Sequence, residues 1–167
     1  QLLLDGQQVS FSSPQAAKKV GVTAVYQELS LIPGMTVAEN IWLGNEPMRF
    51  GFQANRKAMI ARTQDLLDLF AGTFQSSLIP DAPVSHLPPD ERQIVEILKA
   101  LSKEPRLIIL DEATARLDSR QVKRLFELVT EWKTRGTAIV FVSHRMDEIF
   151  RVADRVTVLR NGDTVGN

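Results

Sequence analysis

Residues 107–110 are Leu, Ile, Ile and Leu in succession, followed at once by Asp111 and Glu112. A short apolar run without polar alternation reads as a strand covered on both faces, the kind found in parallel sheets flanked by helices. Residues 22–26 and 138–142 have the same apolar, β-branched character. Between these runs lie segments of helical period. After Asn55 as a cap, Met59, Thr63, Leu66, Leu67 and Phe70 fall on one helix face; after Ser119 as a cap, so do Val122, Leu125, Phe126, Val129 and Trp132. A helix from about Asp90 to Leu101 precedes the 107–110 strand, and a short one spans about residues 146–152. Strand and helix in alternation predict an α/β fold with a mostly parallel sheet.

Local signals fill in the rest. Residues 2–4 and 7–11 flank Asp5-Gly6, a pair suited to positive φ, and predict an N-terminal antiparallel hairpin. Ser13-Pro14 starts a short helix to about Lys19, and Thr36 with Glu39 forms a capping box for a helix that Gly44 closes. Gly136 ends the helix before the 138–142 strand. Residues 72–89, rich in Ser and Pro, read as loop, and Asn161-Gly162 as a tight turn after a strand at residues 155–159. The chain opens on Gln1, and its second residue already reads as strand, so it is expected to begin inside a domain.

Composition removes several classes of function. Lys plus Arg and Asp plus Glu number 20 each, without a long run of either sign, which argues against a nucleic-acid surface. No cysteine is present, so disulfides, thiolate metal sites and thiol redox chemistry are excluded. No apolar stretch approaches the ~18 residues needed to cross a bilayer, so membrane association is expected to run through another protein.

In open α/β sheets ligands bind beyond the carboxyl ends of the strands. Two such ends carry polar residues here, Asp111-Glu112 and Ser143-His144. Adjacent carboxylates at a strand end suit phosphoryl transfer: one can hold Mg²⁺ while its neighbour orients or deprotonates a water. The same pair also serves as solvated caps of the next segment, and a lone His or Gln at a strand end is commonly structural.

The run Leu-Asp-Glu-Ala-Thr-Ala-Arg-Leu-Asp at residues 110–118 resembles the Walker B and D-loop of ATP-binding cassette (ABC) ATPases. His144 is similar to their switch histidine, and Tyr26-Gln27-Glu28-Leu29 to their Q-loop. VYQELSLIPGMTVAENIWLG at residues 25–44 and VSHRMDEIF at 142–150 resemble the ATPase subunits of ribose, galactose and xylose importers, most closely the first of their two fused cassettes. The resemblance implies a P-loop NTPase-like α/β fold with an inserted helical subdomain at about residues 33–101, truncated at its N-terminus. It implies ATP and Mg²⁺ as cofactors, with Asp111 on Mg²⁺ together with Gln27, Glu112 as general base and His144 at the γ-phosphate. Gln27 would couple the nucleotide to the transmembrane subunit and Asp118 would communicate across paired cassettes. The implied partners are a second cassette, transmembrane permease subunits and, indirectly, a periplasmic sugar-binding protein, with the chain at the cytoplasmic face of the bacterial inner membrane.

Two departures stand out. No G-x-x-x-x-G-K-[ST] occurs, so the loop that cradles phosphates is missing, and the chain alone is expected to be inactive. The family signature Leu-Ser-Gly-Gly-Gln reads Leu87, Pro88, Pro89, Asp90, Glu91. Neither proline has an amide hydrogen and the two acids oppose a facing phosphate, yet the same residues also make a sound helix N-terminus with Pro and acids in the first turn. The leading expectation is an importer ATPase. The alternatives are a structural or regulatory cassette that docks without efficient hydrolysis, which the altered signature favours, and a soluble ABC protein of repair or translation, which the Q-loop neighbourhood opposes.

Overall fold

The computed structural model describes residues 2–4, 6–50, 52–74 and 78–166. Asp5 of the expected first turn and residues 75–77 of the expected loop lie outside them. In chain order the elements are β1 (Leu2–Leu4), β2 (Gln7–Val9), α1 (Pro14–Lys19), β3 (Val22–Val25) and α2 (Val37–Trp42). There follow β4 (Met48–Arg49), β5 (Gln53–Ala54), α3 (Arg56–Asp68), α4 (Pro89–Leu101) and β6 (Leu107–Asp111). Last come α5 (Ser119–Thr134), β7 (Ala138–Val142), α6 (Met146–Val152), β8 (Val158–Arg160) and β9 (Asp163–Gly166).

The centre is a three-stranded parallel sheet in the order β3-β6-β7. Its register pairs Val25 with Leu110 and Asp111 with Val142, so the three strands end at one level. One face is closed: Ile108 and Leu110 are fully buried with Ile94, Ile97 and Leu98 of α4 and Leu125 and Leu128 of α5. The other is not. Leu107 and Ile109 are half-buried, and Val140 and Val142 beside them are exposed. The expectation of a strand covered on both faces therefore holds for one face of β6, because among the described residues α4 and α5 pack on that side alone. Gly21 enters β3 at φ +87, where a Cβ would meet the Arg106 side chain at 3.0 Å, so glycine is required there.

Helix α2 packs on both α3 and α4. Trp42 Nε1 on α2 donates to Thr63 Oγ1 on α3 at 2.9 Å, which gives the buried indole its partner. The Thr36–Glu39 capping box starts α2 as expected, Ser13 caps α1 and Asn55 caps α3. The loop before α4 contains a 3₁₀ turn, Val84–His86.

Two local expectations are corrected. The cap of α5 is Asp118, not Ser119: its carboxylate accepts from the amides of Arg120 and Gln121, both at 2.8 Å, while Gln121 Oε1 accepts from the Asp118 amide at 2.9 Å. A carboxylate that closes a reciprocal box outcompetes the neighbouring hydroxyl. The strand expected at residues 155–159 is instead Val158–Arg160. Asn161 and Gly162, at φ +52 and +88, set the ladder from the turn outward, Arg160 opposite Asp163, and pairing reaches only Val158 opposite Gly166.

Candidate functional site

Because β3, β6 and β7 end together, the residues at and just beyond their ends share one edge: Tyr26 and Gln27, Asp111 and Glu112, Ser143 and His144. Asp111 is the last residue of β6, on its half-buried face. Its carboxylate accepts no hydrogen bond from the described residues. Glu112 has φ +49, a left-handed conformation that costs a non-glycine residue roughly 1 kcal/mol or more. Its amide donates to the Val142 carbonyl at 3.0 Å, extending the β6–β7 ladder by one step. The side chain then reaches across the edge, and Glu112 Oε1 lies 3.0 Å from His144 Nδ1. The Glu112 side chain is 28% exposed and that of His144 75%, so the pair sits at the rim, accessible from solvent. An ionised carboxylate only accepts, so Nδ1 carries the proton in this pair. Gln27 is exposed at the same edge, with no hydrogen bond to Asp111, Glu112 or His144.

The loop after Gln27 is fastened to α4. Ser30 donates its hydroxyl to Glu96 Oε1 at 2.6 Å and its amide to Glu96 Oε2 at 3.1 Å, and Lys99 Nζ donates to the Ser30 hydroxyl at 2.9 Å. The buried Asn40 holds the next turn through the amide and carbonyl of Ile32.

The residues expected at the start of α4 form a second region. Pro88 is the N-cap, without a side-chain hydrogen bond, and Pro89 is the first helical residue. Both are exposed, whereas Leu87 is buried. Asp90 accepts from Gln121 Nε2 at 2.7 Å. Gln121 is fully buried, and its orientation is fixed because its oxygen takes the Asp118 amide. Asp118 and Asp90 thus meet through one buried amide. The Asp118 carboxyl is held below its usual range, first by the Gln121 amide and next, against the opposing effect of burial, by that of Arg120. Glu91 is 2% exposed and its Oε1 has no partner; burial, followed by the nearby Asp90 charge, raises its carboxyl above the usual range. Gln121, Ser30 and Glu96 are residues that sequence reading missed. Each sits at a polar position of a helix or loop and gains its role only from a partner distant in the chain.

Among the described residues no group of three or more His, Cys, Asp or Glu side chains could hold a metal ion. Mg²⁺ does not need such a cage: it takes one or two carboxylates and completes its shell with phosphate oxygens and water, and the unengaged Asp111 carboxylate fits that demand. No helix among the described residues is long and apolar enough to cross a membrane.

A family model described as ABC transporter matches residues 1–115. A ribose import ATP-binding protein of Chromobacterium violaceum is 47% identical over 99% of this chain and 32% of its own length. One of Rhizobium johnstonii is 43% identical over 98% of this chain and 31% of its own length. The chain thus spans about a third of these relatives. Among solved structures, an ATP-binding cassette in a dimeric post-hydrolysis state bound to ADP and Pi superposes with a TM-score of 0.80 at 20% identity, covering 98% of this chain and 70% of that one. A nucleotide-free cassette from an ABC transporter gives a TM-score of 0.71 at 20% identity, over 97% of this chain and 66% of that one. At that identity the two structures speak for the fold.

Proposed function

The chain belongs to the ABC transporter family, and from that premise we propose that it is part of the ATP-hydrolysing subunit of a monosaccharide importer of the ribose, galactose or xylose type. The observation that carries the reading is the meeting of Gln27, Asp111, Glu112 and His144 at one edge of three adjacent parallel strands, with Glu112 and His144 3.0 Å apart.

In this reading Asp111, with Gln27, holds Mg²⁺, which when bound offsets the negative charge of the phosphates. Glu112 orients the attacking water and takes its proton. His144, its ring turned by Glu112, faces the γ-phosphate. Gln27 reports nucleotide occupancy to the permease, and the Ser30–Glu96 clamp carries its movement into α4. The helical subdomain, about residues 33–101, offers the surface that meets the membrane subunits. The start of α4, through Pro88 and Pro89, and Asp118 face the nucleotide held by a second cassette in a head-to-tail pair. A periplasmic sugar-binding protein would deliver the substrate, and the subunit would sit at the cytoplasmic face of the inner membrane. Without a phosphate-binding loop, the chain by itself binds ATP too weakly for turnover.

A second reading, a cassette kept for docking and regulation, is favoured by one observation: the start of α4 offers two prolines and turns its acids toward Gln121 and the interior. Reconstitution of the longer protein with its permease in vesicles separates the two. The importer reading expects ATP-dependent uptake of a labelled pentose or hexose, lost in Glu112→Gln. Uptake that persists unchanged in Glu112→Gln, with hydrolysis confined to the other cassette, supports the docking role. ATP turnover stimulated by nucleic acid or ribosomes, with no uptake, contradicts both.

A further inference from the structure

The buried carboxylate of Glu148, on α6, is 1% exposed and has no part in the chemistry described above. A carboxylate out of water costs several kcal/mol unless its oxygens are met by donors. Here the donors come from the two segments that carry the candidate catalytic pair. Thr114 Oγ1, two residues beyond Glu112, donates to Glu148 Oε2 at 2.7 Å. Ser143 Oγ, directly before His144, donates to the same oxygen at 3.2 Å. Arg145 Nη1 lies 2.6 Å from Oε1 as an ion pair, off the line of a hydrogen bond, and the Arg145 amide donates to Ser143 Oγ at 3.1 Å.

We propose that Glu148 is the positioning residue of this site: it ties the turn after Glu112 to the loop bearing His144 and so sets their 3.0 Å approach. The geometry gives the reason. The β6–β7 ladder fixes the backbone only as far as the Glu112 amide on the Val142 carbonyl. Beyond it Glu112 is in the left-handed region and His144 is largely exposed, so packing does not fix the ring. One buried oxygen shared by Thr114 and Ser143 supplies the missing constraint from beneath. Glu148 touches neither member of the pair and acts through their neighbours. A side chain that packed α6 alone would need no charge there.

The inference rests on the reading of Glu112 and His144 as the hydrolytic pair, and the experiment has two arms so that each can fail separately. In the ¹⁵N-labelled chain, the ring nitrogens of His144 report whether the proton is held on Nδ1. Thr114→Val and Glu148→Ala are expected to return the ring to the mixture of a free imidazole, as is Glu112→Ala, which removes the acceptor, while Thr114→Ser, which keeps the hydroxyl, retains the wild-type signature. In the longer protein carrying a phosphate-binding loop, Thr114→Val and Glu148→Ala should lower kcat by roughly 10- to 100-fold, the scale of a misplaced reacting group, with KM for ATP nearly unchanged. Folded Thr114→Val and Glu148→Ala proteins with the wild-type ring signature overturn the proposal. If Glu148→Ala does not fold, Thr114→Val against Thr114→Ser decides it. A ring signature that responds as expected, with kcat unchanged in those variants and in Glu112→Gln, leaves the positioning role standing and removes the hydrolytic reading.

Discussion

The edge of the sheet and the start of α4 both end a regular element in polar residues, and they use them in opposite ways. At the sheet edge Asp111 is unengaged, Glu112 and His144 meet at the rim, and the residues that orient them lie underneath. At the start of α4 the polar atoms turn inward. Asp90 is held by the buried Gln121, Glu91 is buried without a partner for Oε1, and what faces outward is Pro88 and Pro89. Chemistry needs side chains that are oriented yet left with free valences. The strand ends meet that condition, whereas the carboxylates of the α4 start serve its packing.

The largest effect expected from breaking this contrast is at the sheet edge. With a phosphate-binding loop supplied ahead of this chain, Glu112→Gln should keep nucleotide binding and slow hydrolysis by ~10²- to 10⁴-fold, since size and hydrogen bonding are nearly kept and basicity is not. Calorimetry and single-turnover hydrolysis read the two effects separately. The next effect comes from rewriting the other region. Ser-Gly-Gly-Gln at residues 88–91 returns a hydroxyl and amide donors to the helix start and removes two acids, and should raise hydrolysis at the nucleotide site it faces by roughly 10²-fold. It also strips Gln121 Nε2 of its charged acceptor, so chemical denaturation should show a stability loss of about 1.5 to 3 kcal/mol. A gain in hydrolysis without that loss means Asp90 is not structural.

Much of this was legible beforehand, and the boundary is instructive. The strand ends carrying Gln27, Asp111 and His144, the caps at Ser13, Thr36 and Asn55 and the turn at Asn161-Gly162 rest on local chemistry that a sequence displays directly. Asp118 and Ser119 are adjacent residues both able to cap, and only the reciprocal bond to Gln121 selects between them. The links from Asp90 to Gln121, Ser30 to Glu96 and Thr114 to Glu148 span 31, 66 and 34 residues. Glu91, Gln93 and Glu96 are polar residues, yet all three are buried on α4. The sequence left two readings of Asp90 and Glu91 open, charges opposed to a phosphate or acids in a helix first turn, and neither specifies the inward contacts, because local sequence does not show what a helix packs against.

The smallest effect sharpens that last point. Glu91 in the fold has its carboxyl raised above the ordinary range by burial, so its ionised form is disfavoured there. Below the ordinary pKa of ~4.3 the group is neutral in both states and contributes nothing; as pH rises through that value toward the raised one, stability is lost. Glu91→Gln should therefore match the parent near pH ~3.5 and exceed it near pH ~8 by on the order of 1 kcal/mol, the scale of one buried unpartnered oxygen. Urea denaturation at the two pH values measures it, and a gain of equal size at both would mean that charge is not the cause.

The central claim is that chemistry resides at the strand ends and that the start of α4 serves packing more than phosphate. The most direct measurement is site-resolved single-turnover ATP hydrolysis in the proposed two-cassette assembly, with a phosphate-binding loop present, comparing Glu112→Gln with Ser-Gly-Gly-Gln at residues 88–91. The account predicts opposite responses at different sites: Glu112→Gln silences the site built on these strand ends and spares the other, while the restored signature speeds only the site it faces. Equal turnover at both sites in the parent, with Glu112→Gln sparing its own site and no gain from the restored signature, would contradict it.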